Sequence, residues 1–222
     1  MSYNGAVTPG GAPDVRELAH LVVTKVAVDP EMSNNCYLLQ CRHTGDQVLI
    51  DAAASPETLL PLIGDRGLST VVTTHRHWDH HRALADVVSA TGATVVAGTP
   101  DAEEITKLTG VDVDVRAEHG DTVAVGDCML EVIALAGHTP GSIALAYDDP
   151  DGHPHLFTGD SLFPGGPGRT TSPADFDSLM GDLQGKVFDR LPDDTWFYPG
   201  HGNDSTLGAE RPHLAEWRAR GW

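Results

Sequence analysis

Four of the chain's twelve histidines fall within seven positions, in Thr74-His75-Arg76-His77-Trp78-Asp79-His80-His81. The segment directly follows the apolar run Val71-Val72-Thr73, so it sits on a loop at a strand end, where a rigid scaffold presents side chains well. In extended backbone His75 and His77 share a face and Asp79 continues the row, while His80 stands where a second metal could sit beside a first. Catalytic zinc takes imidazole and carboxylate ligands and keeps one position open. Three histidines and an aspartate at this spacing favour such a site over a polar loop of merely satisfied side chains. Further ligands are available at other strand ends: His138 after Met129–Leu135, Asp160 after Leu156-Phe157, and His201 after Trp196-Phe197-Tyr198. Each is preceded by glycine (Gly137, Gly159, Gly200), which suits a tight turn that lets a side chain reach a shared centre.

The rest of the chain alternates β-rich apolar runs with short amphipathic ones. Strands are expected at His20–Val28, Asn35–Cys41, Gln47–Ile50, Thr70–Thr74, Ala93–Ala97, Val111–Val115, Thr122–Val125, Met129–Leu135, Ile143–Tyr147, His155–Phe157 and Trp196–Tyr198. Helices are expected at Pro56–Ile63 behind a Ser55 cap, Arg82–Ala90, Asp101–Leu108 up to Gly110, Ala174–Val187 and Leu207–Arg220, with Pro164–Gly168 a loop. Strands and helices mix in both halves without a repeat or linker, which points to α/β layers. The expected organisation is a loose N-terminal lead over 1–18 and one domain over 19–222.

A net charge of −18 lacks the basic footprint that nucleic acid requires and disfavours anionic membrane surfaces. No apolar run reaches membrane-spanning length and no signal-peptide pattern opens the chain. Three cysteines, Cys36, Cys41 and Cys128, form no disulfide framework and read as buried free thiols, with Cys36 and Cys41 on opposite strand faces; a reducing cytoplasm is the expected setting. Trp217 and Trp222 read as helix docking, Trp78 as site wall or core, and His81, His119, His153 and His155 as surface or turn residues.

The series T-H-x-H-x-D-H, G-H-T-P-G-S, T-G-D and P-G-H-G, in this order, resembles the full motif set of the metallo-β-lactamase superfamily. The resemblance runs from about His20 to the C-terminus. It implies a four-layer αβ/βα sandwich of two mixed β-sheets with helices outside and a site at one edge. It further implies one metal on His75, His77 and His138, a second on Asp79, His80 and His201, Asp160 bridging them, and Asp51 orienting a ligand.

Within that family the aspartate at 160 and the stretches Thr158–Phe163, Gly168-Arg169-Thr170 and Tyr198–Gly202 are more similar to glyoxalase II-type hydrolases than to true β-lactamases. That branch implies hydrolysis of an acyl thioester such as an S-lactoyl thiol by a hydroxide held between two divalent metals, zinc first, with iron or manganese also suited to such ligands. The same branch implies a thiol-carrier contact at Arg169. Asp79 could also accept a hydrogen bond from the nucleophile, though a ligand role suits it better. The substrate would be a small thioester, and the protein a monomer or homodimer.

Two departures stand out. Arg82 replaces the glycine common after this first motif, and the chain ends soon after His201, as in short relatives without the helical domain that helps bind glutathione. Another low-molecular-weight thiol is therefore an equal candidate carrier. The rivals are a persulfide dioxygenase, with one iron on His75, His138 and Asp160 and a similar Gly166–Thr170 stretch, then a lactonase, and a non-enzymatic metal-binding scaffold.

Overall fold

The computed structural model describes residues 3–221. A seven-stranded sheet takes β1 (Asp14–Glu17), β2 (Leu21–Val28), β3 (Asn34–Cys41), β4 (Gln47–Ile50), β5 (Thr70–Thr73), β6 (Thr94–Gly98) and β7 (Val115–Ala117) in chain order. Its first four strands pair antiparallel and the last four parallel. The second sheet is built from β8 (Thr122–Val125), β9 (Cys128–Ala134), β10 (Ile143–Tyr147) and β11 (His155–Gly159). After a small hairpin of β12 (Leu162–Phe163) and β13 (Gly166–Pro167), it is completed by β14 (Trp196–Pro199), parallel to β11, and β15 (Ser205–Thr206).

The strands are near-continuous apolar runs because both faces of each sheet are covered. In Val48-Leu49-Ile50 the outer two side chains join Leu130, Val132, Leu145 and Phe157 between the sheets. Leu49 points the other way, onto Leu59 of α1 (Pro56–Ile63), Leu84 and Val87 of α2 (Leu84–Thr91) and Ile105 of α3 (Thr99–Thr109). The second sheet packs Leu156 and Phe197 against Phe176, Leu179 and Met180 of α4 (Pro173–Asp182), and against Leu207 of α5 (Leu207–Glu210) and Trp217 of α6 (Leu214–Arg220). The order helices, sheet, sheet, helices is the four-layer sandwich with mixed sheets.

Several local expectations shift. Asp14–Glu17, assigned to the loose lead, is an edge strand on β2, and the lead before it is tied down where buried Lys25 donates to the Gly5 carbonyl. Ser55 does not cap α1 through its side chain; it is left-handed at φ 54° and its carbonyl takes the Thr58 amide instead. The strand expected at Val111–Val115 begins only at Val115, because the Asp114 carboxylate takes the Val95 amide that a longer strand would have paired. The final helix breaks into α5, a 3-10 turn at Arg211–His213 and α6, since Pro212 cannot continue the α-helical ladder. Past Asp182, α4 widens into a π turn over Leu183–Phe188, a segment that contains Gly185. His81 and His155 are buried, contrary to their expected surface placement; each has a polar partner, the Arg76 carbonyl and the Tyr198 hydroxyl. Trp217 is buried against Phe188, whereas Trp222 lies outside the described residues. Among the described residues no helix is long and apolar enough to cross a membrane.

Candidate metal centre

All seven side chains singled out as ligands meet at one edge of the sandwich, beyond the last residues of β5, β9, β11 and β14. The His75 segment leaves β5 and turns into a short 3-10 stretch, Trp78–His80, instead of staying extended, and this carries His80 under the loop while His77 stays exposed. Gly159 takes φ 49° at the end of β11. Gly200 lies so close to the centre that a Cβ there would stand 2.3 Å from Asp160 Oδ1 and 2.7 Å from the His80 ring, so only glycine fits.

The donor atoms fall into two groups beside Asp160. His75 Nε2, His77 Nδ1 and His138 Nε2 lie 3.1, 2.9 and 3.3 Å from one another. Tetrahedral zinc with bonds of about 2.0–2.1 Å separates neighbouring ligand atoms by roughly 3.3 Å. On the other side His80 Nε2 is 3.5 Å from Asp79 Oδ2 and 3.4 Å from Asp160 Oδ1, and His201 Nε2 is 3.4 and 3.6 Å from Asp79 and Asp160 Oδ2. Each group comprises side chains that could hold a metal ion.

The outer ring nitrogens settle what the inner ones can do. His138 Nδ1 donates to the Arg169 carbonyl at 2.7 Å, His201 Nδ1 to the Met32 carbonyl at 3.0 Å, and His80 Nδ1 to Asp51 Oδ2 at 2.8 Å. The Thr74 hydroxyl donates to Asp51, which leaves its oxygen to accept from His75 Nδ1 at 3.1 Å. Four imidazoles therefore turn their remaining ring nitrogens inward, and His80 Nε2 and Asp160 Oδ1 are buried without a hydrogen-bond partner. Lone pairs of His75 and His138 at 3.3 Å repel each other unless a cation lies between them. The donor set thus fits divalent metal on the chemistry of its own atoms.

The electrostatics set the two groups apart. Burial, reinforced by the neighbouring imidazoles, pushes His75 well below the ordinary histidine range; burial also lowers His77 and His138, so all three offer neutral nitrogens. Burial works to lower His80 and His201 too, but the carboxylates of Asp160 and Asp51 around His80, and of Asp79 and Asp160 around His201, outweigh it and raise both. Burial likewise works to raise Asp79 and Asp160, yet the surrounding imidazoles hold both carboxyls low. A pocket that keeps two ionised carboxylates out of water demands positive charge.

Two residues that the sequence did not single out complete the frame. Asn34, one residue before the strand expected at Asn35–Cys41, opens β3; its Nδ2 donates to Asp79 Oδ2 at 3.0 Å and its backbone bridges to His201. Asp101, fully buried in the first turn of α3, accepts from the Arg76 amide at 3.0 Å, the Gly141 amide at 2.9 Å and the Thr139 hydroxyl at 2.5 Å. It thereby ties the loop of His75 and His77 to the loop of His138. In sequence Asp101 looks like any acidic residue in a first helical turn, and nothing local marks either residue.

The Arg169 side chain is exposed, in a surface hollow continued by Thr170–Pro173 next to the His138 loop. Arg82 forms an ion pair with Asp29 and lies over the Trp78 ring at 4.7 Å, and Trp78 is outside the core, 55% exposed.

Comparison with known proteins agrees with this architecture. Residues 29–201 match the family profile described as the metallo-beta-lactamase superfamily. The chain is 34% identical over 183 residues to a hydroxyacylglutathione hydrolase of a Polaromonas species, covering 82% of this chain and 66%, just under two thirds, of that protein's length. Among solved structures, ETHE1 from Myxococcus xanthus superposes with a TM-score of 0.76 at 31% identity, over 89% of this chain and 84% of that one. TTHA1623, solved in a di-iron-bound form, does so with a TM-score of 0.67 at 32% identity, over 84% and 96%. On the profile match, the sandwich and the converging ligand motifs together, this chain belongs to the metallo-β-lactamase superfamily.

Proposed function

We propose that the protein is a cytoplasmic hydrolase of small acyl thioesters that works with two divalent metal ions, zinc in the first instance. The observation that carries this reading is the second donor group. Asp79, His80 and His201 stand complete beside His75, His77 and His138, with Asp160 reaching both, where a single-metal enzyme would need only one group. In this reading His75, His77 and His138 hold one ion, Asp79, His80 and His201 the other, and Asp160 bridges. The likeness to a hydroxyacylglutathione hydrolase and to a di-iron protein supports it.

Bound in this frame, the two ions would supply a hydroxide nucleophile near neutral pH and polarise the thioester carbonyl. The residues do the rest. Asp51, Thr74, Met32 and Arg169 fix ring orientation through the hydrogen bonds described above. Asp79, already oriented by Asn34, can accept a hydrogen bond from the nucleophile as well as serve as ligand. The thiolate leaving group, with a parent pKa of about 8.5, departs without a strong acid. Arg169, exposed next to His138, would meet the thiol carrier in this reading. The partner is thus a small thioester rather than nucleic acid or membrane, with the chain acting as monomer or homodimer.

The test is turnover of S-lactoylglutathione and of thioesters on other small thiols by protein whose metals have been counted. Hydrolysis with two ions per chain is expected. Filled sites with no thioester turnover would sink the reading. A second reading, persulfide oxidation at one iron on His75, His138 and Asp160, rests on the similarity of Gly166–Thr170 to that branch. One iron per chain with oxygen uptake on a persulfide would replace the first reading by the second.

A further inference from the structure

At the end of the sandwich away from the metal centre, two of the three cysteines come together from different sheets. Cys41 is the last residue of β3 and Cys128 the first of β9, and both belong to the core between the sheets. β9 then runs seven residues before the chain reaches the His138 loop, about 20 Å at the usual strand rise, so the pair is remote from the metals. Cys41 and Cys128 belong to one core cluster and border one cavity. The turn leading into β9 passes directly over Cys41: a Cβ on Gly126 would stand 3.0 Å from its sulfur. Cys128 Sγ also lies 3.5 Å from the His20 carbonyl and 4.0 Å from the Tyr147 hydroxyl.

Both cysteines line a cavity of about 560 Å³, whose walls include His20, His43, Asp127 and Tyr147. A volume of this order matches small-molecule pockets. The two sulfurs differ in character. Burial raises the Cys41 thiol, but donations from the Thr44 hydroxyl and from the backbone amides of Thr44, Asp127 and His43 outweigh it and bring it down to about 7. Burial raises Cys128. Cys36, deep on the opposite face of β3, is pushed up to about 12 by burial and lines no part of this cavity. One thiol of the pair is thus about half thiolate near neutral pH, with a second sulfur on the same cavity.

We propose that Cys41 and Cys128 are a redox-active pair that reacts with low-molecular-weight disulfides at this cavity and closes into a disulfide stapling the two β-sheets. In the first step the Cys41 thiolate attacks one sulfur of the small disulfide. A bond forms between Cys41 and that sulfur, the small disulfide's own bond breaks, and its other half leaves as a thiolate that takes up a proton. Cys128 then gives its proton to solvent and attacks Cys41 Sγ, releasing the first half as a second thiol. Two electrons pass from the cysteine pair to the small disulfide, which is reduced to two thiols. Reversible disulfides of this kind in a reducing compartment serve sensing or regulation, and this one would tie β3 to β9 across the core.

The experiment incubates the metal-loaded protein with oxidised glutathione, then counts thiols in denaturant and maps peptides by mass spectrometry. The expected result is loss of two of the three thiols. The intact mass should fall by two hydrogens, one linked peptide should join Cys41 to Cys128, and dithiothreitol should reverse the change. The oxidised form should melt at higher temperature. Cys128→Ser should stop at a mixed disulfide that adds one glutathionyl group at Cys41, and Cys36→Ser should close as the native chain does. Three titratable thiols after incubation would overturn the proposal, as would a lasting glutathionyl adduct on the native chain or links between chains. Since no step uses the metals, these outcomes are independent of the hydrolase reading.

Discussion

The carboxylate of Asp101 takes the hydroxyl of Thr139 at 2.5 Å, joining the start of α3 to the loop that carries His138. With the Arg76 and Gly141 amides also donating to it, one buried side chain sets the distance between two ligand loops. Asp101→Ala leaves the Gly141 amide and the part-buried Arg76 amide unmatched, each worth about 1–3 kcal/mol, while the Thr139 hydroxyl can still turn to Ser142. The expected outcome is a lower unfolding temperature and metal affinity reduced about 10- to 100-fold, as for other groups that orient ligands. Chelator competition on the purified variant checks it, and native affinity would refute the positioning role.

Asp51 should act more locally. It holds His80 Nδ1 and both the amide and the hydroxyl of Thr74. Asp51→Asn puts an amide donor against groups that already donate. The ion held by His80 should weaken by about 10- to 100-fold, and the ion on His75, His77 and His138 by less. Metal counts after dialysis against graded chelator should show one site emptying before the other.

Chelation itself should destabilise the protein. The converging ring nitrogens and the unpartnered Asp160 Oδ1 are brought together only by folding, so metal binds the folded chain in preference to the unfolded one. At free metal 100-fold above the dissociation constant, this linkage adds about 2.7 kcal/mol per site. Calorimetric scans with and without chelator should differ by several degrees, and re-added zinc should restore the higher transition. Identical scans would speak against a resident metal.

His155 gives a pH dependence remote from the metals. Burial, with help from His153 and Arg16, depresses it to about 3, against an ordinary value of 6.5. The unfolded chain therefore binds this proton more readily between those values. The stability linked to neutral His155 is complete above pH 6.5 and is lost as pH falls toward 3, by about 1.4 kcal/mol per unit. Denaturant unfolding of the native chain and of His155→Gln across pH 7.5 to 5 should show the native curve falling more steeply. Parallel curves would contradict it.

Arg169→Ala separates the backbone role from the side-chain role. The carbonyl that holds His138 is kept, while the exposed guanidinium is lost. If the guanidinium binds the thiol carrier, KM should rise about 10-fold, within the range of a hydrogen bond to a charged group, with kcat nearly unchanged. Steady-state kinetics on a thioester decides, and a fall in kcat alone would point to disturbed metal ligands.

The sequence by itself determined the layers and the meeting place of the ligands. Strands such as Val48-Leu49-Ile50 read as buried on both faces because each residue is apolar; His75, His77, Asp79 and His80 stand out because they crowd one strand end, and His138, Asp160 and His201 because each follows a strand and a glycine. Such signals are local, and their assignment to one centre came from the resemblance of the motif series to a known family. Only the tertiary structure decided which polar residues support the site. Asp101, Asn34 and the carbonyls of Met32 and Arg169 act across long stretches of chain, through hydrogen bonds whose partners have no fixed sequence separation. The edge strand at Asp14–Glu17 likewise exists only because β2 offers it a ladder. Cys41 and Cys128 became a pair for the same reason. They lie in different sheets, and only the packing of one sheet on the other brings two sulfurs to one cavity.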